Sequence, residues 1–212
     1  ATDNQINGNT ISGNNLRGIL IVGSGNIRNR VQSNTFTGNA GPAIDLGSTT
    51  ATDFNGGNGI TPNDVGDGDA GPNTYQNFPV ITQASPSGTV QGTLNSLPNG
   101  TYAIDFYASG TCNVTGPDAQ RVLGSTFVAT DASGNATFNL TLPSPPAAGE
   151  FVTATATDLS GNTSELSSCF VISSAQQLIT ITASDSTASE QGPSPGAFTF
   201  ARAGPTDTPL VV

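Results

Sequence analysis

The six residues NTISGN at positions 9–14 return as NTFTGN at 34–39, and the interval holds at many other positions. Asn4 and Asn29, Ile6 and Val31, Asn9 and Asn34, Ile11 and Phe36, Asn14 and Asn39, Ile19 and Ile44, and Ile21 and Leu46 are each 25 residues apart. A fixed period between about 20 and 50 residues belongs to chains in which each turn buries its apolar side chains against the same positions of the next. The apolar residues of one period come in short groups separated by Gly and Asn, which predicts strands of three to five residues joined by tight turns. Ile11 is then expected to stack on Phe36, and Ile19 on Ile44. Asn9 over Asn34 and Asn14 over Asn39 would form an amide ladder that satisfies polar groups where the chain turns away from β geometry.

The composition agrees with strands and turns throughout. Only 9% of the 212 residues are charged, there are 26 Gly and 14 Pro, and the polar remainder is dominated by Asn, Thr and Ser. Thr, Val, Ile and Phe suit a pleated surface, while Gly and Asn tolerate positive φ. Five Arg and no Lys stand against 15 acidic residues, a formal net charge of −10. That balance supplies no basic footprint for nucleic acid. No apolar stretch approaches the ~20 residues that a membrane-spanning helix needs, and the chain opens in mid-repeat without a signal-like segment. It reads as an internal or processed piece of an exported protein. The absence of His removes Ser-His-Asp and Cys-His mechanisms, and the absence of Lys removes a lysine-bearing phosphate loop.

The repeat, with its N-x-I-x-G-N and G-I-x-I patterns, resembles the coils of right-handed parallel β-helix proteins of the pectate-lyase-like class. It covers residues 1–47. Many members of that class act on polysaccharide, and the resemblance implies acidic or basic groups projecting from neighbouring coils into a groove. The charged residues here are Asp3, Arg17, Arg28, Arg30 and Asp45, and no pair of carboxylates recurs on one face as glycoside hydrolysis requires. The three arginines are read as solvated or paired with nearby acids.

Residues 48–77 lose the period and form an acidic connector rich in Gly, Asn and Asp. Asp64, Asp67 and Asp69 fall within six residues of one another with Gly66 and Gly68 between them. Calcium takes six to eight oxygen ligands, and Gly lets a chain curl around the ion. These three residues are therefore candidate calcium ligands, although the spacing is not that of an EF-hand. A solvated turn that caps the end of the coils is the competing reading.

Residues 78–172 contain seven short apolar runs about ten residues apart, with turn signals between them. They predict an antiparallel sandwich. Alternation is clear at Tyr102, Ile104 and Phe106 and again at Phe138, Leu140 and Leu142. The turn at 131–135 is expected to join its flanking strands as a hairpin. The stretch TATATDLSGNTSE at 153–165 resembles the bacterial immunoglobulin-like domains of long surface proteins. In that resemblance Asp158 and Glu165 become weak calcium candidates, with a plain turn at Asp158 as the alternative. Cys112 and Cys169 are not spaced as a metal-binding pair, and a disulfide between them is expected.

Residues 173–212 contain two further strands around a Pro-rich turn, and the segment AFTFARAG resembles the opening of a Calx-beta domain. That resemblance makes Glu190 a calcium ligand. The fold class expected is all-β: the last coils of a parallel β-helix, an antiparallel immunoglobulin-like sandwich, and terminal strands. The functional expectation is a non-catalytic structural or adhesive segment of a bacterial cell-surface or extracellular protein, rigidified by calcium. Its partners would be neighbouring domains or subunits of the same protein, with surface glycan as a further partner. Two alternatives stand beside it. One is a fibre or surface-layer subunit joined by strand addition from the C-terminal strands, and the other is the C-terminal part of a polysaccharide-active β-helix protein.

Overall fold

A computed structural model describes residues 1–47, 59–113, 116–173, 178–185 and 196–203. Contacts divide the chain into two units, Ala1–Ile172 and Ser173–Val212. Among the described residues the fold is all-β, with one 3-10 turn at Pro72–Tyr75 and no α-helix.

The first unit begins with corners. Asp3, Gly8 and Gly13 have φ of 59°, 68° and 66°, and Arg28, Ser33 and Gly38, each 25 residues on, have 59°, 54° and 62°. Each of these left-handed residues immediately precedes an Asn of the repeat. The turns release short strands: β1 (Gln5–Asn7), β2 (Thr10–Ser12), β3 (Ile19–Val22), β4 (Arg30–Gln32), β5 (Thr35–Thr37) and β6 (Ile44–Gly47). They pair in parallel as β1 with β4, β2 with β5 and β3 with β6, and every partner is 25 residues away, as in Ile6 with Val31, Ile11 with Phe36 and Ile19 with Ile44. Val31, Phe36, Ile44 and Leu46 are at most 2% exposed. Gly18 has a packing reason, because a Cβ there would lie 2.6 Å from the Ala43 carbonyl oxygen and 2.7 Å from the Phe36 ring.

The same unit continues into two antiparallel layers. Its strands are β7 (Val80–Ala84), β8 (Thr89–Asn95), β9 (Thr101–Ser109), β10 (Cys112–Asn113), β11 (Gly116–Pro117), β12 (Arg121–Ala129), β13 (Asn135–Thr141), β14 (Phe151–Asp158) and β15 (Phe170–Val171). One sheet runs β12-β9-β14-β15 and the other β13-β8-β7, while β10 and β11 pair with each other. Between the two layers lies a core that includes Val90, Leu94, Ile104, Phe106, Phe138 and Val152. Phe106 and Phe138 meet edge to face at 5.4 Å across it.

The 131–135 turn forms, with Asp131 Oδ1 accepting from the backbone N–H groups of Ser133 and Asn135. The expected hairpin does not. β12 pairs with β9 and β13 pairs with β8, so the turn arches from one layer to the other. Alternating apolar residues look the same in both arrangements, because either one gives each strand an inward face.

β9 and β14 are buried along almost their whole length, on both faces. One face makes the sandwich core. On the other, Tyr107 joins Ala119, Leu166 and the coil residues Val31, Phe36, Ile44 and Leu46 in a second apolar cluster. The coils and the sandwich thus share a core.

The second unit contains β16 (Leu178–Asp185) and β17 (Ala197–Ala203), paired antiparallel with an irregularity between Ala183 and Asp185. Ile181 faces Phe200 and Ala183 faces Phe198. Ile181, Phe198 and Phe200 are 60–70% exposed.

Candidate functional site: the capped coil edge and the acidic cluster

A strand edge presents unpaired N–H and C=O groups that template further pairing unless something covers them. The second coil has three such edges, and each is met by a group from the rest of the first unit. At β4, the Val31 N–H donates to Thr163 Oγ1 at 2.9 Å. At β5, Phe36 and Ala119 exchange both backbone hydrogen bonds, at 2.8 and 3.2 Å. At β6, the Leu46 N–H donates to Glu165 Oε1 at 2.8 Å.

The corners are closed in the same way. The N–H and Nδ2 of Asn29 both donate to Asn73 Oδ1, while Asn73 Nδ2 returns a bond to the Asn29 carbonyl at 2.8 Å. Asn4 Nδ2 donates to Asn29 Oδ1 in turn, so Asn4, Asn29 and Asn73 form one amide ladder whose last rung comes from outside the repeat. The 3-10 turn at Pro72–Tyr75 places that rung, with Asn73 at φ 45°. The Arg28 N–H donates to Asn162 Oδ1, and Gln32 Nε2 to Asp105 Oδ2.

Within the coils, Asn9 and Asn14 each donate through N–H and Nδ2 to Oδ1 of Asn34 and Asn39 at 2.8–3.1 Å. Ile11 lies in register with Phe36. Four of the five charged residues of the coils form two ion pairs, and Arg30 instead donates to Gln32 Oε1 and the Leu159 carbonyl. Arg17 binds the buried Asp45, and Arg28 Nε lies 2.6 Å from Asp3 Oδ1.

Glu165 is the most perturbed of these groups. Only 1% exposed, it receives the Leu46 N–H on one oxygen and the Thr61 N–H on the other, at 2.6 Å. Burial pushes its carboxyl up to about 8, and the charge of nearby Asp45 adds to the rise, while the two N–H bonds oppose it. Its position is that of a clamp between β6 and the connector.

The structure brings Asp64, Asp67 and Asp69 together, with one carboxylate oxygen of each within 4.8 Å of the others. Asp64 and Asp69 are exposed, whereas Asp67 is 4% exposed. Asp67 Oδ1 accepts from the Asn77 N–H, and Oδ2 from Gln76 Nε2 and the Ser96 hydroxyl. Burial pushes Asp67 up to about 6 despite those bonds, and its two acidic neighbours push the same way. All the donors are hard oxygens, which suits calcium or magnesium over softer ions. Each Asp67 oxygen already holds a hydrogen bond, so only its remaining lone pairs could face a cation.

Asp158 is occupied by its own turn. Oδ1 accepts from the Gly161 and Asn162 N–H groups at 2.7 and 2.8 Å, and Oδ2 from Asn162 Nδ2 at 2.7 Å. These bonds aim Asn162 at the Arg28 N–H. Glu190 lies outside the described residues. Cys112 and Cys169 form a disulfide with Cα atoms 6.2 Å apart. It ties the segment that leads to Ala119 to the segment that carries Thr163 and Glu165.

The repeat pointed to the ladder residues of the coils, and the crowding of Asp64, Asp67 and Asp69 was visible as spacing. Asn73, Thr163, Ala119 and Glu165 carried no such signal, because each acts as a single group at an edge made 44 to 132 residues away. No α-helix of the described residues is long and apolar enough to cross a membrane. A scan against protein-family models finds no match to the chain, and a search of curated proteins finds none either.

Proposed function

We propose that this chain is a non-catalytic structural segment of an exported bacterial surface or extracellular protein, in which an immunoglobulin-like sandwich closes the end of a stack of parallel β-helix coils. The observation that carries the reading is the fate of the polar groups in the coils. Arg17, Arg28, Asp3 and Asp45 pair with one another, and the second coil's strand edges are spent on Thr163, Ala119 and Glu165. Such an arrangement resists slippage and edge pairing, and among the described residues of the coils it leaves no pair of carboxylates facing one groove. The disulfide supports an oxidising compartment.

In this reading the segment displays or spaces an adhesive region, and calcium at Asp64, Asp67 and Asp69 stiffens the connector. The likeness of residues 173–212 to the opening of a Calx-beta domain supports a modular chain. The exposed row of Ile181, Phe198 and Phe200 favours the second reading, a subunit joined to its neighbour by these strands.

The test is an antibody against the sandwich applied to intact cells of the source organism, before and after protease shaving. Surface signal that shaving removes is the expected result. Signal that appears only after lysis overturns the reading, and so does release of reducing ends from polysaccharide by the chain.

A further inference from the structure

The two faces of the coil stack differ in one respect. Beyond the second coil every edge has a partner, while before the first coil none of the described residues supplies one. The effect shows position by position. Val31, Phe36 and Ile44 are 1–2% exposed, yet Ile6, Ile11 and Ile19, at the same registers one coil earlier, are only partly buried. A recess of about 180 Å³ is lined by Ile6, Ile19, Ile21 and Val22 together with Asn4 and Asn26.

The amide ladder gives the open face a direction. At each rung the side-chain oxygen of the later group accepts from the earlier coil, Asn9 and Asn14 giving N–H and Nδ2 to Oδ1 of Asn34 and Asn39 and Asn29 giving both to Asn73, while Nδ2 of Asn34, Asn39 and Asn73 returns a bond to the carbonyl of Ile6, Ile11 and Asn29. The first coil therefore turns the side-chain oxygens of Asn4, Asn9 and Asn14 outward. Among the described residues nothing donates to Oδ1 of Asn4, Asn9 or Asn14.

We infer that this face is a docking surface for one further coil, stacked in parallel on the first, that carries Asn at three positions five residues apart. Apolar residues follow two places after the first and second Asn and five after the third. The contact between the two coils already present is the precedent, and the new contact continues it by 25 residues. An added coil of this kind brings three pairs of N–H and Nδ2 donors to the three waiting oxygens and closes the recess with apolar side chains. A second copy of this chain cannot do so through its other end, because that end is filled by its own sandwich. The inference rests on the reading of the coils as the end of a longer stack, and adds which face receives the next element and what chemistry that element carries.

The test extends the chain ahead of Ala1 with a copy of its own residues 1–25, and uses as control an extension of the same 25 residues in scrambled order. The repeat extension is expected to raise the thermal midpoint by about 5 °C and to slow amide hydrogen exchange along β1, β2 and β3. The scrambled extension is expected to match the unextended chain. Equal midpoints for the two extensions, or unchanged exchange in β1–β3, overturn the inference. Concentration-dependent dimers of the unextended chain that disappear on extension overturn it too, since they assign the face to a second copy. None of these outcomes bears on cell-surface display, so failure here is distinguishable from failure of the proposed function.

Discussion

The carboxyl of Glu165 should make this protein less stable as the solution becomes more alkaline, the reverse of the usual behaviour of a paired acid. An ordinary Glu titrates at 4.5, and burial between β6 and Thr61 raises Glu165 to about 8. The folded state therefore binds more protons than the unfolded state between those two values, and stability falls as pH rises through that window. The contribution is complete below about pH 4.5 and lost above about pH 8. Moving a carboxyl from 4.5 to about 8 corresponds to ~5 kcal/mol at ~1.4 kcal/mol per pH unit, an upper figure for the whole window. Asp67, raised to about 6, acts in the same direction, is half spent at pH 6 and finishes about one pH unit above it. The interval from about pH 7 to 8 thus belongs mainly to Glu165. The charge that acts on it is that of Asp45, which opposes its ionisation and is itself paired with Arg17. The perturbation is Glu165→Gln, which cannot ionise. It keeps one oxygen for an N–H donor but turns an NH2 toward the other, so a loss of about 1–2 kcal/mol is expected at pH 5. The assay is urea unfolding followed by circular dichroism at half-unit steps from pH 5 to 9 at fixed ionic strength. The native chain should lose 2 kcal/mol or more between pH 6 and 8.5, an order-of-magnitude figure from the same conversion, and the variant should lose less than half as much. Parallel curves for the two proteins would refute the assignment of the slope to this clamp.

The remaining predictions address the other supports. Reduction of Cys112–Cys169, which closes a separation of 57 residues, should cost roughly 4 kcal/mol on the chain-entropy account; thermal melts with and without reductant measure it, and an unchanged midpoint would count against it. Asn34→Ala removes an amide that accepts from Asn9 and donates to the Ile6 and Gln32 carbonyls, so about 2–3 kcal/mol should be lost. Asn9→Ala, at an exposed position, should cost less in the same urea assay, and equal costs would deny the buried rung its role. Millimolar calcium should raise the thermal midpoint over a chelator control at pH 7 and do so less at pH 5, where protons compete at Asp67. Asp64→Asn combined with Asp69→Asn should abolish the shift, and melts that coincide in calcium and chelator dispose of the site.

What could be read from the sequence follows from the kind of interaction each residue makes. Ile11 with Phe36 and Asn14 with Asn39 repeat because one contact is made many times in a stack, and repetition is visible in one dimension. The strands of the sandwich were legible from alternation, but their partners were not. Val128 and Phe138 alternate alike whether their strands share a sheet or face each other across the core, and only the layers decide. The acidic residues of the connector were visible as a cluster, whereas the burial of Asp67 beneath Gln76, Asn77 and Ser96 depends on β8 and on the segment that leads into β7.

The termination of the coils was hidden for a different reason. A repeating stack has no intrinsic last member, since each coil leaves the same edges that it covers. Ending it requires groups that satisfy the edge without offering a new one, and a side-chain oxygen does this where a full strand cannot. Thr163 and Glu165 accept one edge N–H each, and Ala119 pairs at a single isolated bridge before the chain turns into β12. Asn73 copies the next rung of the ladder from a turn that has no strand behind it. The TATAT of β14 reads in sequence as a strand with one apolar and one solvated face, yet Thr153, Thr155 and Thr157 are all 1% exposed. Two hydroxyls of this face are satisfied within the first unit, since Thr157 and Thr163 hydrogen-bond each other and Thr153 Oγ1 donates to the Asp118 carbonyl. The sandwich is therefore shaped on this side by the coil end that it closes. Separation of the two should leave open edges on one and a buried threonine face exposed on the other.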